Sequence, residues 1–142
     1  MNYVVWDIET DSAQTDWATI IEIGGILLDE IWGCEATLYY PGKYAGSADC
    51  VGIYENKETI IDFKQSNKPK KDEWIEDYYL QCAAYALAHN TVHGSNITQA
   101  VILLCTKDNM FQRFLIDGDR LKDYQREFLK KVEQFYTQRI AN

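Results

Sequence analysis

An acidic residue, one spacer and a lysine close an apolar run in the middle of this chain, and this feature restricts the local fold most. Thr59-Ile60-Ile61 leads directly into Asp62-Phe63-Lys64. Side chains alternate between the two faces of a β-strand, so Asp62 and Lys64 are predicted to share one face while Phe63 points to the other. The segment is therefore predicted to be a strand that presents a carboxylate beside an ammonium group.

A second carboxylate is predicted to lie close to the first. Asp49 stands thirteen residues upstream of Asp62, and the stretch Glu55-Asn56-Lys57-Glu58 between them reads as a hairpin turn. Two carboxylates suit a hard, oxygen-preferring cation such as Mg²⁺ or Mn²⁺. Lys64 beside that cation could stabilise a pentacovalent phosphate or help activate a water. The pattern therefore predicts a site that cleaves phosphodiesters.

Length and composition favour one folded domain of ordinary globular character. The chain has 142 residues, of which 46% are apolar and 25% charged. There is no apolar run near 18 residues and no basic-apolar-small leader, which predicts no membrane span, no signal peptide and a cytoplasmic protein. His89 and His93 are predicted to be helix-end and loop residues rather than ligands. Four widely spaced cysteines predict buried, reduced thiols rather than a zinc site: Cys34, Cys50, Cys82 and Cys105.

The charge is unevenly distributed. The net charge is −8, but residues 1–30 hold seven acids and no Lys or Arg, which leaves fifteen acids against fourteen bases in the rest. A local basic run, Lys64, Lys68, Lys70 and Lys71, begins at the lysine of the proposed site. A charge run is usually a solvated face. This run, however, begins at the lysine of the proposed site, where a nucleic-acid backbone would have to pass. We therefore predict that Lys68, Lys70 and Lys71 contact DNA phosphates.

Apolar periodicity predicts the order strand-strand-strand-helix-strand-strand-helix from residue 36 onward. Asp72 is a candidate N-cap for the first helix, and Asp117 or Asp119 for the second. Residues 1–30 are predicted to form a β-hairpin. The predicted strands cover residues 36–40, 47–54, 59–64, 99–106 and 110–116, and the first helix covers residues 73–89.

Four motifs in order resemble the PD-(D/E)XK nuclease superfamily, and more narrowly its RecB-like exonuclease branch. They are Glu35, Gly46-Ser47-Ala48-Asp49, Ile60-Ile61-Asp62-Phe63-Lys64 and Gln81-x-x-x-Tyr85. Residues 61–70 are particularly similar to the mitochondrial genome maintenance exonucleases and their phage relatives. A lone DxK motif is weak evidence for this superfamily, whereas the four motifs in this order are specific to it. The resemblance covers about residues 33–138.

The resemblance implies an α/β, restriction-endonuclease-like core in residues 31–142, with a central mixed sheet flanked by helices and residues 1–30 as a β-hairpin extension. It implies that Asp49, Asp62, the Phe63 carbonyl and Glu35 serve a divalent metal and that Lys64 is catalytic. Gln81 and Tyr85 match the helix motif that the RecB-like branch adds to the site. Their i, i+4 spacing places them on one helix face.

The implied function is metal-dependent cleavage of DNA, exonucleolytic and on single-stranded ends, in a phage or bacterial cytoplasm. Two alternatives stay open. Asp7-Ile8-Glu9 resembles the first motif of DnaQ-like 3′–5′ exonucleases, although two further acids of that family are missing. A catalytically degenerate module that binds DNA, or binds a protein partner through the acidic N-terminal hairpin, is the other alternative.

Overall fold

The strands of the sheet and the two long helices follow one another in the order that the sequence predicts. The computed structural model describes residues 3–4 and 27–141. A 3₁₀ turn, Asp72–Trp74, precedes the first long helix. The strands are β1 (Tyr3–Val4), β2 (Leu27–Leu28), β3 (Glu30–Tyr40), β4 (Tyr44–Tyr54), β5 (Lys57–Ser66), β6 (Gln99–Thr106) and β7 (Phe111–Asp117), and the helices are α1 (Glu76–His93) and α2 (Gly118–Ala141).

A five-stranded mixed sheet forms the centre of the described structure. Its strand order is β3-β4-β5-β6-β7, and every neighbouring pair is antiparallel except β5 and β6. Parallel neighbours need a crossover connection, and α1 supplies it. The predicted α/β class with a central mixed sheet is thereby confirmed. Strands β1 and β2 pair antiparallel with each other, separately from this sheet.

The centre of the sheet is buried on both faces, which explains why the middle of β6 is a continuous apolar run. All eight residues of β6 are buried, as expected for a central strand covered on both sides. One set of sheet side chains, which includes Ile60 and Ile102, packs with Tyr79 and Cys82 of α1. The opposite set includes Ile61, Phe63, Val101, Leu103 and Cys105. The DxK strand therefore contributes side chains to a buried cluster on each face of the sheet.

The start of α1 differs from the prediction. Asp72 is not its N-cap: the helix begins at Glu76, and Ile75 precedes it without a side-chain cap. The Asp72 carboxylate instead accepts hydrogen bonds from Tyr79 at 2.6 Å and from Arg120 at 2.6 Å. These contacts tie the 3₁₀ turn to both helices. Asp72 is thus a tertiary anchor, which local periodicity cannot reveal.

The remaining boundaries differ by a few residues. Helix α1 continues to His93, and Gly94 caps its C-terminus. The φ of Gly94 is 66°, the left-handed conformation that glycine adopts without a Cβ penalty. Strand β3 begins six residues before its predicted start, at Glu30, and β7 is shifted by one residue, whereas β6 has the predicted bounds. Local patterns thus identify the elements more reliably than their ends.

Three of the four cysteines are buried, as predicted, but Cys34 is exposed. All four are free thiols. In the part of the chain that the structure describes, no helix is both long and apolar enough to cross a membrane. Asp7, Glu9 and most of the predicted N-terminal hairpin lie outside the described residues.

Candidate active site

The candidate site opens where the β4–β5 ladder ends. The antiparallel pairing runs from Tyr54↔Lys57 to Cys50↔Ile61 and stops there. The next positions in this register are Asp49 and Asp62. Beyond them the Phe63 amide donates its hydrogen bond to Asp49 Oδ2, at 2.9 Å, rather than to a strand carbonyl. The hairpin therefore brings the two aspartates together, as the sequence predicts, and leaves an opening between the strands.

Asp62 is a buried carboxylate in an incompletely satisfied environment. It is 4% exposed, and its Oδ2 is the buried side-chain oxygen in the described residues that lacks a hydrogen-bond partner. Lys64 Nζ lies 3.2 Å from this oxygen and forms an ion pair without hydrogen-bond alignment. Burial raises the pKa of Asp62 to about 7; Lys64 opposes this effect and the Asp49 carboxylate adds to it. Such a group is suited to binding a cation.

Lys64 is held by contacts from two elements. Besides its ion pair with Asp62, its Nζ donates to Gln81 Oε1 at 3.2 Å. The same Nζ lies 4.9 Å from the ring centroid of Tyr78, a cation–π contact. Burial lowers the pKa of Lys64, but the negative charge of Asp62 raises it more, so its pKa lies above the ordinary value. The side chain is therefore an ammonium ion at neutral pH.

Gln81 and Tyr85 of α1 lie beside Lys64, and Gly46 of the GxxD motif leaves room for the Tyr85 ring. Gln81 Nε2 donates to Tyr85 Oη at 3.0 Å, one helical turn away. A Cβ at Gly46 would lie only 2.7 Å from Tyr85 Cε1. Gly46 therefore lets the Tyr85 ring pack directly against strand β4. Lys64, Gln81 and Tyr85 form one chain of contacts.

Comparison with known proteins finds sequence relatives that share one name. No family model matches the chain. The human mitochondrial genome maintenance exonuclease 1 is 30% identical over 106 residues, which is 70% of this chain and 30% of that protein. The Xenopus tropicalis protein of the same name is 30% identical over 99 residues, 66% of this chain and 28% of that protein. The chain is related to the PD-(D/E)XK-like exonucleases.

The chain spans less than a third of the length of these exonuclease relatives. A solved alkaline exonuclease from Laribacter hongkongensis is also similar, with a TM-score of 0.35 and 15% identity, covering 86% of this chain and 66% of that one. The relationship itself rests on the sequence relatives.

Glu35 does not join the two aspartates. Cys34 pairs with Cys50 and Ala36 with Ala48, so Glu35 lies opposite Asp49 in the register. Its φ of 49° lies in the left-handed region, however, and its side chain is exposed. In the described residues no group of three or more His, Cys, Asp and Glu side chains could hold a metal ion. A position opposite Asp49 in the register therefore does not by itself complete a three-carboxylate group.

The basic run leaves β5 in an ordered loop. Gln112 of β7 clamps Lys70 through both backbone groups, accepting from its amide at 2.8 Å and donating to its carbonyl at 2.9 Å. Lys71 Nζ lies 5.2 Å from the ring centroid of Trp74, which is 61% exposed. Lys68 is exposed. The loop thus presents cations and an exposed aromatic ring to solvent.

Sequence reasoning missed the residues that surround a cavity beside Lys64. Tyr44, Phe128 and Lys131 contribute to its wall, from β4 and α2. Phe128 is one of several apolar residues at helical spacing in the last helix, a pattern that does not distinguish a core residue from a pocket wall. Tyr44 precedes Gly46 by two residues, and that proximity to the GxxD motif is the signal that could have identified it.

Proposed function

We propose that this chain is a deoxyribonuclease that hydrolyses phosphodiester bonds with a divalent cation, Mg²⁺ or Mn²⁺. We further propose that it acts as an exonuclease on single-stranded DNA ends. One observation carries the proposal: Asp49, Asp62, Lys64 and Gln81 converge where the β4–β5 ladder opens. The relationship to proteins named exonucleases supports it.

The residues at the opening fit a hard cation. Asp62 Oδ2 is buried and without a hydrogen bond, and Asp49 lies beside it. The N–H and C=O of one strand residue point to the same edge, so the Phe63 carbonyl faces Asp49, as its amide does. We propose these three oxygen donors as the metal ligands. A bound cation would lower the pKa of a coordinated water and neutralise charge on the phosphate.

Lys64 would act as a fixed positive charge. Its ion pair with Asp62 and its contact with Gln81 place an ammonium group at the opening, which favours stabilisation of the negatively charged phosphorane over removal of a proton. The Gln81 contact at 3.2 Å fixes the direction of the ammonium group. Preorganised charges of this kind stabilise a transition state without reorganisation during the reaction. Lys64 is therefore the proposed catalytic residue of the chain.

The helix motif and the basic loop would position the substrate. Gln81 orients Lys64 and is itself held by Tyr85, so the pair would set the geometry between the lysine and the phosphate. The basic loop continues from β5, the strand of Asp62 and Lys64. Its three lysines would contact phosphates on the approach to the site, without base specificity: Lys68, Lys70 and Lys71.

The contact geometry favours an active enzyme over a degenerate binding module. A degenerate site has no need to bury a carboxylate beside a second carboxylate, since removing such charges from water costs stability. Asp62 is buried next to Asp49 and pairs with a lysine that a helix residue orients. The arrangement is costly for folding and useful for catalysis.

Cleavage of a labelled single-stranded oligonucleotide tests the proposal. We expect stepwise shortening with Mg²⁺ or Mn²⁺ and no shortening with a chelator. Linear strands should be degraded and circular strands of the same sequence should persist, because an exonuclease requires an end. Asp62→Asn should abolish cleavage, while the matched control Asp108→Asn, an exposed acid in the β6–β7 turn, should not. Metal-independent shortening, or full activity in Asp62→Asn, would contradict the assignment.

A further inference from the structure

A cavity of about 570 Å³ lies beside the candidate site, between α1, α2 and β4. Lys64, Gln81 and Tyr85 line it, so the cavity and the site share a wall. Its volume is within the range of small-ligand pockets, about 300–1,000 Å³. A group attached to a phosphate at Lys64 could therefore extend into the cavity, which has room for a small ligand rather than a duplex.

One wall of the cavity is aromatic and fixed in place. The rings of Tyr44 and Phe128 meet edge to face, with centroids 4.8 Å apart. Tyr44 Oη donates to the Ala84 carbonyl at 2.7 Å, which anchors its ring to α1. Tyr136 of α2 donates to the Lys43 carbonyl at 2.7 Å, which holds α2 against the turn before β4. The wall is thus a preorganised surface against which a flat ring can stack.

The charges around the cavity select an anion that carries such a ring. Lys64, Lys131 and Asp77 are the charged residues of its lining. Lys64 already pairs with Asp62, which leaves Lys131 as the cation for a ligand. Lys131 lies three residues after Phe128, so its charge and that ring share one face of α2. A purely apolar ligand would gain nothing from Lys131. A nucleotide has a flat base for the aromatic wall, a phosphate for Lys131 and base N–H groups for Asp77.

We infer that this cavity binds the terminal nucleotide of the DNA strand, with Phe128 and Tyr44 contacting the base and Lys131 contacting a phosphate. The inference rests on the proposed nuclease function for the identity of the strand. It assigns to α2 a binding role that is separate from the cleavage chemistry of β4 and β5.

Binding of 2-aminopurine deoxyribonucleoside monophosphate, without metal, tests this subsite. Its fluorescence is quenched when the base stacks, so a titration reports both affinity and stacking. Lys131→Gln should weaken binding about tenfold, since a charged hydrogen bond is lost. Phe128→Leu should weaken it by roughly 5- to 100-fold and reduce the quenching. Lys130→Gln is the matched control, because Lys130 is exposed on α2 and does not line the cavity.

The outcomes separate the subsite from the nuclease proposal. Equal affinities for wild type, Lys131→Gln and Phe128→Leu would overturn the subsite, whatever the protein cleaves. Weaker binding in both variants, with Lys130→Gln unchanged, supports it even if no cleavage is found. In an active enzyme, Lys131→Gln should raise KM and leave kcat nearly unchanged. Because Lys131 is an exposed residue, this variant keeps the test decisive should Phe128→Leu fail to fold.

Discussion

Replacing Gly46 with alanine tests how tightly the strand motif and the helix motif are coupled. The new Cβ would lie 2.7 Å from Tyr85 Cε1, whereas ordinary contact begins at 3.4 Å, so the ring must move by about 0.7 Å. That movement strains the 3.0 Å bond from Gln81 to Tyr85 and, through Gln81, the orientation of Lys64. Overpacking of this kind costs about 1–3 kcal/mol of stability. Misplacement by about 1 Å can slow a reaction about 100-fold.

We therefore expect Gly46→Ala to fold but to cleave a labelled oligonucleotide roughly 10- to 100-fold more slowly, mainly through kcat. Gly33→Ala is the matched control, because its Cβ would meet Ala36 Cβ at an ordinary 3.5 Å. Adding Gly46→Ala to Tyr85→Leu should have little further effect, since the clashing ring is already gone. A folded Gly46→Ala protein with the wild-type rate would refute the coupling, as would fully additive effects in the double variant.

Two further predictions concern the ions around the site. Asp49→Asn and Asp62→Asn should each keep the fold and weaken Mg²⁺ binding in calorimetry, because a neutral amide is a poorer ligand for a hard cation; unchanged affinity in both would remove the metal assignment. Replacing Lys68, Lys70 and Lys71 together by alanine should weaken DNA binding without sequence bias. It should also reduce the slope of log affinity against log salt by up to about 2, whereas an unchanged slope would leave this run a solvated face.

The sequence was most informative where one local pattern determines the structure. The alternation around Asp62 and Lys64 predicted a shared face, and the two groups form an ion pair at 3.2 Å. The i, i+4 spacing of Gln81 and Tyr85 predicted neighbours, and they are hydrogen-bonded. These relationships need only strand or helix periodicity, which a single sequence contains.

The features that the sequence did not predict depend on tertiary contacts. Asp72 looks like a helix cap until Tyr79 and Arg120 are found to bind it. Glu35 matches a motif position, but its side chain is exposed and, among the residues described, it forms no three-residue group with the two aspartates. Lys131 carries no local signal, because an exposed lysine on an amphipathic helix looks the same whether or not a cavity lies beneath it. Such roles arise only when distant elements meet.

The central claim is that Asp49, Asp62 and Lys64, rather than the acidic N-terminus, carry the chemistry. The most direct measurement is the single-turnover cleavage rate of a labelled single-stranded oligonucleotide with saturating Mg²⁺. We predict that Lys64→Ala loses cleavage while folding normally, and that the double change Asp7→Asn, Glu9→Gln keeps most of it. Loss of cleavage in a folded double variant, with activity retained in Lys64→Ala, would contradict the account and favour the DnaQ-like alternative.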